Sequence, residues 1–248
     1  MTGTIIITGS GRGIGAATAL LAAQKGYAVC VNYTNRPERA EQIVVAIRDR
    51  GGKAIAVQAD VSNEEAVKAL FDAATDQLGA LVALVNNAGI TGRLGRFVDL
   101  ETPSLRRLLD VNILGTMLCS REAVRRMSTT FGGKGGAIVN ISSRAIQYGG
   151  PNEYVHYAAS KAAIETFTLG LAREVASEGI RINCVSPGLI ATEIHAEAGD
   201  AERVQRYAHQ IPMQRAGEPE EVAAAILWLL SDEASYCTGT IMAVGGGR

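Results

Sequence analysis

The chain has 248 residues and a net charge of −1, with 24 Lys and Arg against 25 Asp and Glu; 47% of the residues are hydrophobic and 20% charged. That length suits one large α/β domain, and the composition excludes a disordered or collagen-like chain. The balanced charge lacks the basic excess of a nucleic-acid binder, and no apolar run approaches the roughly 20 residues that span a bilayer.

Short apolar runs at residues 4–8, 28–32, 54–58, 81–86, 137–142, 181–186 and 240–244 read as strands. Most are apolar throughout rather than alternating, which is the pattern of a parallel sheet covered on both faces. Amphipathic stretches of helical length separate them. In the stretch 64–78, Val67, Leu70, Phe71 and Ala74 share one face, Ser62 and Asn63 stand where a cap belongs, and Gly79 stands where the helix should stop. Residues 104–129 and 157–177 form the two longest helical segments. The alternation predicts a Rossmann-type, doubly wound α/β fold: a single domain over 1–248, with a parallel sheet of about seven strands and helices on both faces. Residues 190–215 contain no strand candidate and read as an insertion of the kind that covers a binding site. The four cysteines, Cys30, Cys119, Cys184 and Cys237, form no CxxC pair and have no His at zinc spacing. The expectation is therefore no metal site, no disulfide framework and a reducing, cytoplasmic setting.

The segment Thr8-Gly9-Ser10-Gly11-Arg12-Gly13-Ile14-Gly15 follows the first strand and opens the first helix. Glycines let the backbone approach a pyrophosphate, and the helix start offers free N–H groups. Counted from Gly9, the sixth position is Ile14, so the generic dinucleotide fingerprint is not met; no Lys-Ser/Thr pair follows, so a P-loop is excluded. An acidic residue about 20 positions on normally takes the ribose 2′-hydroxyl of NAD. Here the second strand ends Val31-Asn32-Tyr33-Thr34-Asn35-Arg36, and the first acid is Glu38. Arg12 and Arg36 suit a 2′-phosphate, so NADP(H) is expected in preference to NAD(H).

Tyr157 and Lys161 stand four residues apart, so a helix projects both from one face. A free phenol titrates near pH 10, and a neighbouring ammonium lowers that value toward a useful proton shuttle. Tyr148 and Tyr154 have no Lys at that spacing. Ser142 and Ser143 close the fifth strand at the sheet edge where doubly wound folds place ligands. Asn112 lies in the long helical segment before it.

With Thr8–Gly15 (TGxxxGxG), Asp60-Val61, Asn86-Asn87-Ala88-Gly89, Asn112, Ser143, Tyr157 with Lys161, and Pro187-Gly188 in this order, the sequence resembles the short-chain dehydrogenase/reductase family along essentially its whole length. The resemblance implies that Tyr157 is the general acid/base, that Lys161 binds the nicotinamide ribose and depresses the Tyr157 pKa, and that Ser143 polarises the substrate carbonyl. It implies that Asn112 holds a water linking Lys161 to solvent. For the cofactor it implies contacts from Gly9, Ser10, Arg12, Gly13, Ile14 and Gly15, from Asn32 and Arg36, from Asp60 and Val61 near the adenine, and from Asn87, Ala88 and Gly89 along the ribose. Pro187, Gly188 and Ile190 are expected to pack on the nicotinamide, with Thr192 on its carboxamide or the diphosphate. The segment between Ser143 and Tyr157 is slightly longer than in many relatives, which leaves Ser142 as the competitor of Ser143.

Three functions fit: an NADP(H)-dependent carbonyl reductase or sugar-type alcohol dehydrogenase, which is favoured; a 3-oxoacyl-carrier-protein reductase; or a non-catalytic NADP-binding sensor or scaffold. The carrier-protein reading needs a basic surface: Lys134 is present, Glu178 stands where a second basic residue is wanted, and Arg121, Arg125 and Arg126 are the other source of charge. Residues 91–97, 144–154 and 190–213 are expected to line a pocket for a small polar substrate, offering Arg144, Gln147, Tyr148, Glu153, His195 and His209. Of these, His195 and His209 are read as surface positions. In the second long helical segment, Ile164, Phe167, Leu171 and Val175 form an apolar stripe, and Ala163, Thr166 and Gly170 form a small-residue face. The resemblance implies that the two long helices, and separately residues 244–248, pair across two-fold axes into a homotetramer.

Overall fold

The computed structural model describes residues 3–248, so the first two residues lie outside the description. Strand β1 (Thr4–Ile7) leads through the glycine turn into α1 (Gly13–Gln24); β2 (Ala28–Tyr33) precedes α2 (Pro37–Arg48), and β3 (Ala54–Gln58) precedes α3 (Glu64–Leu78). After β4 (Leu81–Asn86) come α4 (Thr102–Leu109) and α5 (Thr116–Met127), joined by a π-helical turn at Asp110–Gly115. Strand β5 (Gly136–Ile141) is followed by α6 (Ala145–Tyr148) and α7 (Val155–Val175). After β6 (Ile180–Pro187) the chain forms α8 (Ile194–Glu197), α9 (Arg203–Tyr207) and α10 (Pro219–Leu230) before closing the sheet with β7 (Ile241–Val244).

The seven strands form one sheet in the order β3-β2-β1-β4-β5-β6-β7, and every neighbouring pair is parallel. The chain winds outward from β1 to β3 and then restarts at β4 on the other side of β1. That reversal opens a crevice at the carboxyl ends of β1 and β4.

The apolar strands are explained by the two faces they serve. Ile5, Ile7, Val29 and Val31 pack with Ala19, Val44 and Ile226 of α1, α2 and α10. Ile6, Cys30, Leu84 and Ile138 point the other way, against Leu70 and Phe71 of α3, Ala123 of α5 and Ala172 of α7. Each large side chain so buried contributes roughly 1.5–3 kcal/mol before its entropy cost. Helix α3 keeps its sequence-expected face, since Val67, Leu70, Phe71 and Ala74 are all buried. The Asn63 side chain accepts from Ala66 N at 2.9 Å and Gly79 ends the helix at φ 95°. Ser62 does not cap it; its hydroxyl donates to Asp60 at 2.7 Å instead.

Two expectations change. The segment 104–129 is not one regular helix, because the π-helical turn lies in its middle and carries Asn112. The α7 stripe is buried only through Ile164 and Val175, with Thr168 and Ala172 completing the inner face, while Phe167 and Leu171 are half-buried. Residues 190–215 hold two short helices, and backbone bonds from Ala191 N to Gly217 O (2.9 Å) and from Gly217 N to Leu189 O (3.0 Å) tie the ends of this excursion together.

Candidate active site

A cavity of about 500 Å³ runs along the carboxyl edge of the sheet, from the glycine turn to the start of α7. At the glycine turn, Gly9 adopts φ 60°, and a Cβ there would stand 3.0 Å from Ala88 Cα. Arg12, the residue before α1, places no side-chain cap on the helix, so the first-turn N–H groups are left for a ligand in the cavity. Gly9, Arg12, Gly13 and Ile14 line the wall, and with them Arg36, Asp60, Val61, Ala88 and Gly89. Asn87, Pro187, Gly188, Ile190 and Thr192 also line it. An uncapped helix start beneath a close backbone approach fits a dinucleotide pyrophosphate.

Three residues expected to touch the cofactor instead build the turn from behind. The Ser10 hydroxyl donates to Ile7 O at 2.7 Å and is fully buried. Asn32 is 1% exposed; its Oδ1 accepts from Gly9 N at 3.1 Å and its amide donates to Ala59 O at 3.1 Å. Gly15 makes room, because a Cβ there would fall 2.5 Å from Asn87 Nδ2. Asn87 locks β4 to the turn by donating to Thr8 O and Gly9 O, while Thr8 Oγ1 accepts from the Asn87 and Ala88 amides at 3.0 Å. Burial alone would raise the Asp60 carboxyl, but hydrogen bonds from Ser62 and Arg107 outweigh it and hold the group below its ordinary value.

At the far end, α7 presents Tyr157 and Lys161 toward the end of β5. Lys161 Nζ donates to Ile141 O at 2.8 Å and lies 5.8 Å from the centre of the Tyr157 ring. Burial lowers Lys161 to about 8. Burial also pushes the Tyr157 phenol up to about 12, with Tyr154 adding to the rise and a hydrogen bond with Ser143 opposing it. The expected depression of Tyr157 by Lys161 is therefore absent here. The ammonium lies over the ring, and burial is the largest influence on the phenol.

The two serines separate. Ser142 is buried, and its hydroxyl donates to Glu165 at 2.9 Å and to Lys161 O at 3.3 Å. Ser143 lines the cavity close enough to Tyr157 to act on its phenol, and its Oγ accepts from Ala145 N at 3.1 Å. Asn112 is fully buried: Oδ1 accepts from Ile90 N at 2.9 Å, and the amide donates to Ile90 O at 2.9 Å and to Ser160 Oγ at 3.0 Å. Ser160 in turn donates to Tyr157 O at 2.7 Å, so Asn112 fixes both the loop after β4 and the turn of α7 that bears Tyr157.

Of the residues expected around the substrate, Arg144, Tyr148 and His195 line the cavity, whereas Gln147, Glu153 and His209 do not. Glu153 instead pairs with Arg203 at 2.7 Å. Arg203 and Tyr207, inside the expected lining 190–213 though not singled out there, also face the cavity, as do Arg39 and Arg248, which the sequence reading missed. The Arg203 guanidinium lies 5.0 Å from the rings of both Tyr154 and Tyr207, and Arg248 lies 4.8 Å from Tyr148. No local motif marks such residues, because helices far apart in sequence bring them together. Arg39 alone had a signal, standing about one helical turn beyond Arg36.

A family model described as "Enoyl-(Acyl carrier protein) reductase" matches residues 9–248. The chain is 52% identical to the uncharacterised oxidoreductase YgfF of Escherichia coli (strain K12), over 98% of both chains. It is 41% identical to glucose 1-dehydrogenase 2 of Bacillus subtilis (strain 168), covering 98% of this chain and 93% of the other. It is 37% identical to the 3-oxoacyl-[acyl-carrier-protein] reductase of Staphylococcus aureus (strain Mu50), covering 100% and 98%. The crystal structure of a dehydrogenase/reductase from Sinorhizobium meliloti 1021 superposes with a TM-score of 0.91 at 31% identity, over 99% of this chain and 94% of that one. With the glycine turn and the serine, tyrosine and lysine gathered on one sheet edge, these likenesses show that the chain belongs to the short-chain dehydrogenase/reductase family of nicotinamide-dependent oxidoreductases acting on CH–OH groups.

Proposed function

We propose that the protein is an NADP(H)-preferring reductase or dehydrogenase of a small polar carbonyl or secondary alcohol. The observation that carries this reading is the meeting of Ser143 and Tyr157, with Lys161 beside the ring, at one end of a cavity whose other end holds Arg12, Arg36 and Arg39. The nicotinamide, when bound, supplies or accepts the hydride at the reacting carbon. In the reducing direction Tyr157 donates its phenolic proton to the substrate oxygen, and a phenol held near 12 is protonated and ready for that. The Ser143 hydroxyl holds the same oxygen. The Lys161 ammonium offsets the phenolate charge left behind, and Asn112 keeps the α7 turn in place. Gly9, Gly13 and Ile14 hold the pyrophosphate, and Asp60 and Val61 flank the adenine. Ala88 and Gly89 border the ribose, while Pro187, Gly188, Ile190 and Thr192 border the nicotinamide.

The printed description of the family model and the 37% identity to a 3-oxoacyl-carrier-protein reductase favour a second reading. Against it, Arg121 pairs with Glu64 and Arg125 and Arg126 pair with Glu122, which leaves less free positive charge for an acidic carrier protein. Tyr157→Phe is expected to lower turnover by at least about 10²–10⁴-fold, with NADPH affinity nearly unchanged. NADPH oxidation against a panel of aldoses, diketones, quinones and 3-oxoacyl thioesters checks both points. Retained activity in the variant removes the mechanism, and a thioester-only parent selects the second reading.

A further inference from the structure

Three guanidinium groups at the β2 end of the cavity already have carboxylate partners. Arg12 grips Glu197 through both terminal nitrogens, and Arg36 Nη2 lies 3.5 Å from the same carboxylate. Arg39 pairs with Glu193, which also stands 3.6 Å from Arg12. The arginines come from the glycine turn and the start of α2. The glutamates come from the excursion after β6, spaced four residues apart so that the one turn of α8 aims both the same way. All five residues line the cavity wall.

A carboxylate and a phosphate offer a guanidinium the same pair of acceptor oxygens. The two glutamates therefore occupy seats that a phosphate on the adenosine ribose would need. We propose that Glu193 and Glu197 are specificity-determining residues that compete with the cofactor's 2′-phosphate for Arg12, Arg36 and Arg39, and so set how strongly the protein prefers NADP(H) to NAD(H). This rests on reading those arginines as 2′-phosphate ligands. The five side chains sum to a charge of about +1, and a phosphate monoester adds close to −2. The phosphate cannot share the arginines with both carboxylates without repulsion. A bare 2′-hydroxyl carries no charge and demands no such exchange. The acids thus oppose one cofactor and leave the other alone.

The test uses 2′,5′-ADP and 5′-AMP, fragments that differ in the 2′-phosphate and do not reach Tyr157. Calorimetric affinities are measured for the parent, Glu193→Gln, Glu197→Gln and the double variant. Both side chains are half exposed, so the folds are expected to persist, and thermal melts check this. The double variant is expected to bind 2′,5′-ADP about tenfold more tightly, the scale of two exposed ion pairs, with 5′-AMP unchanged. Equal gains for both fragments, no gain, or a loss for 2′,5′-ADP overturns the proposal; a loss would mean that the glutamates position the arginines. A parent that binds 2′,5′-ADP no better than 5′-AMP speaks against the cofactor reading alone. The double variant then still decides: discrimination that emerges on removing the acids supports competition, and its continued absence refutes it.

Discussion

Tyr157 and Lys161 show how burial sets charge where a sequence motif suggests only proximity. Four-residue spacing made the pair legible, but not the direction of the pKa change, which depends on how much water the fold removes. Lys161 is 4% exposed and its folded value of about 8 lies below the unfolded 10.5, so the unfolded chain binds the extra proton between those values. Its contribution to stability accordingly rises as pH climbs from about 8 toward 10.5. Lys161→Met removes this titration, and denaturant melts at several pH values should show the variant's stability advantage over the parent shrinking across that window. A pH-independent difference would contradict the burial argument. At the opposite end of the cavity, Arg12→Ala and Arg36→Ala are expected to weaken NADPH much more than NADH, because only the former carries the 2′-phosphate. Dissociation constants for the two cofactors check this, and equal losses would show that these arginines serve another purpose.

At the scale of elements, the alternation of apolar runs was enough to find all seven strands, since a parallel sheet buried on both faces leaves an unbroken apolar signature. The π-helical turn left no such trace. Its one extra residue per turn is stabilised by what Asn112 reaches, namely Ile90 and Ser160, and those contacts exist only after the helices pack. The glycine turn was legible as a turn, yet which of its residues face the ligand was not: Ser10 and Gly15 belong to the packing beneath it. Gly15 gives a sharp test. Alanine there places Cβ within 2.8 Å of Gly9 O and Ser10 Cα as well as against Asn87, so Gly15→Ala is expected to cost about 1–3 kcal/mol and loosen cofactor binding. Gly95→Ala meets nothing within 4 Å and serves as the control, with a melting temperature near the parent's. Matching melts for the two variants would remove the packing argument.

For the whole molecule, the outer faces of α5 and α7 remain to be accounted for. Met117 of α5 and Leu169 of α7 are each 37% exposed, Leu114 of the π-helical turn before α5 is 42% exposed, and Gly170 has open space around the position of a Cβ. In a lone subunit these features bring no benefit: alanine at Gly170 would favour the helix by up to about 1 kcal/mol. A small residue flanked by exposed apolar ones is suited to close approach of a second helix. We propose that α5 and α7 pair with their counterparts across a two-fold axis, and that a second two-fold contact around residues 244–248 completes a homotetramer. Asn112 and Tyr157 lie on this helical layer, and Arg248 lines the cavity, so both contacts bear on the site. Gly170→Arg is expected to leave the fold intact, because the side chain enters open space, while splitting the tetramer and lowering activity. Light scattering and turnover measured at the same protein concentration check the two effects together. A parent of monomer mass with full activity, or a Gly170→Arg variant that remains tetrameric, would place this face outside any interface.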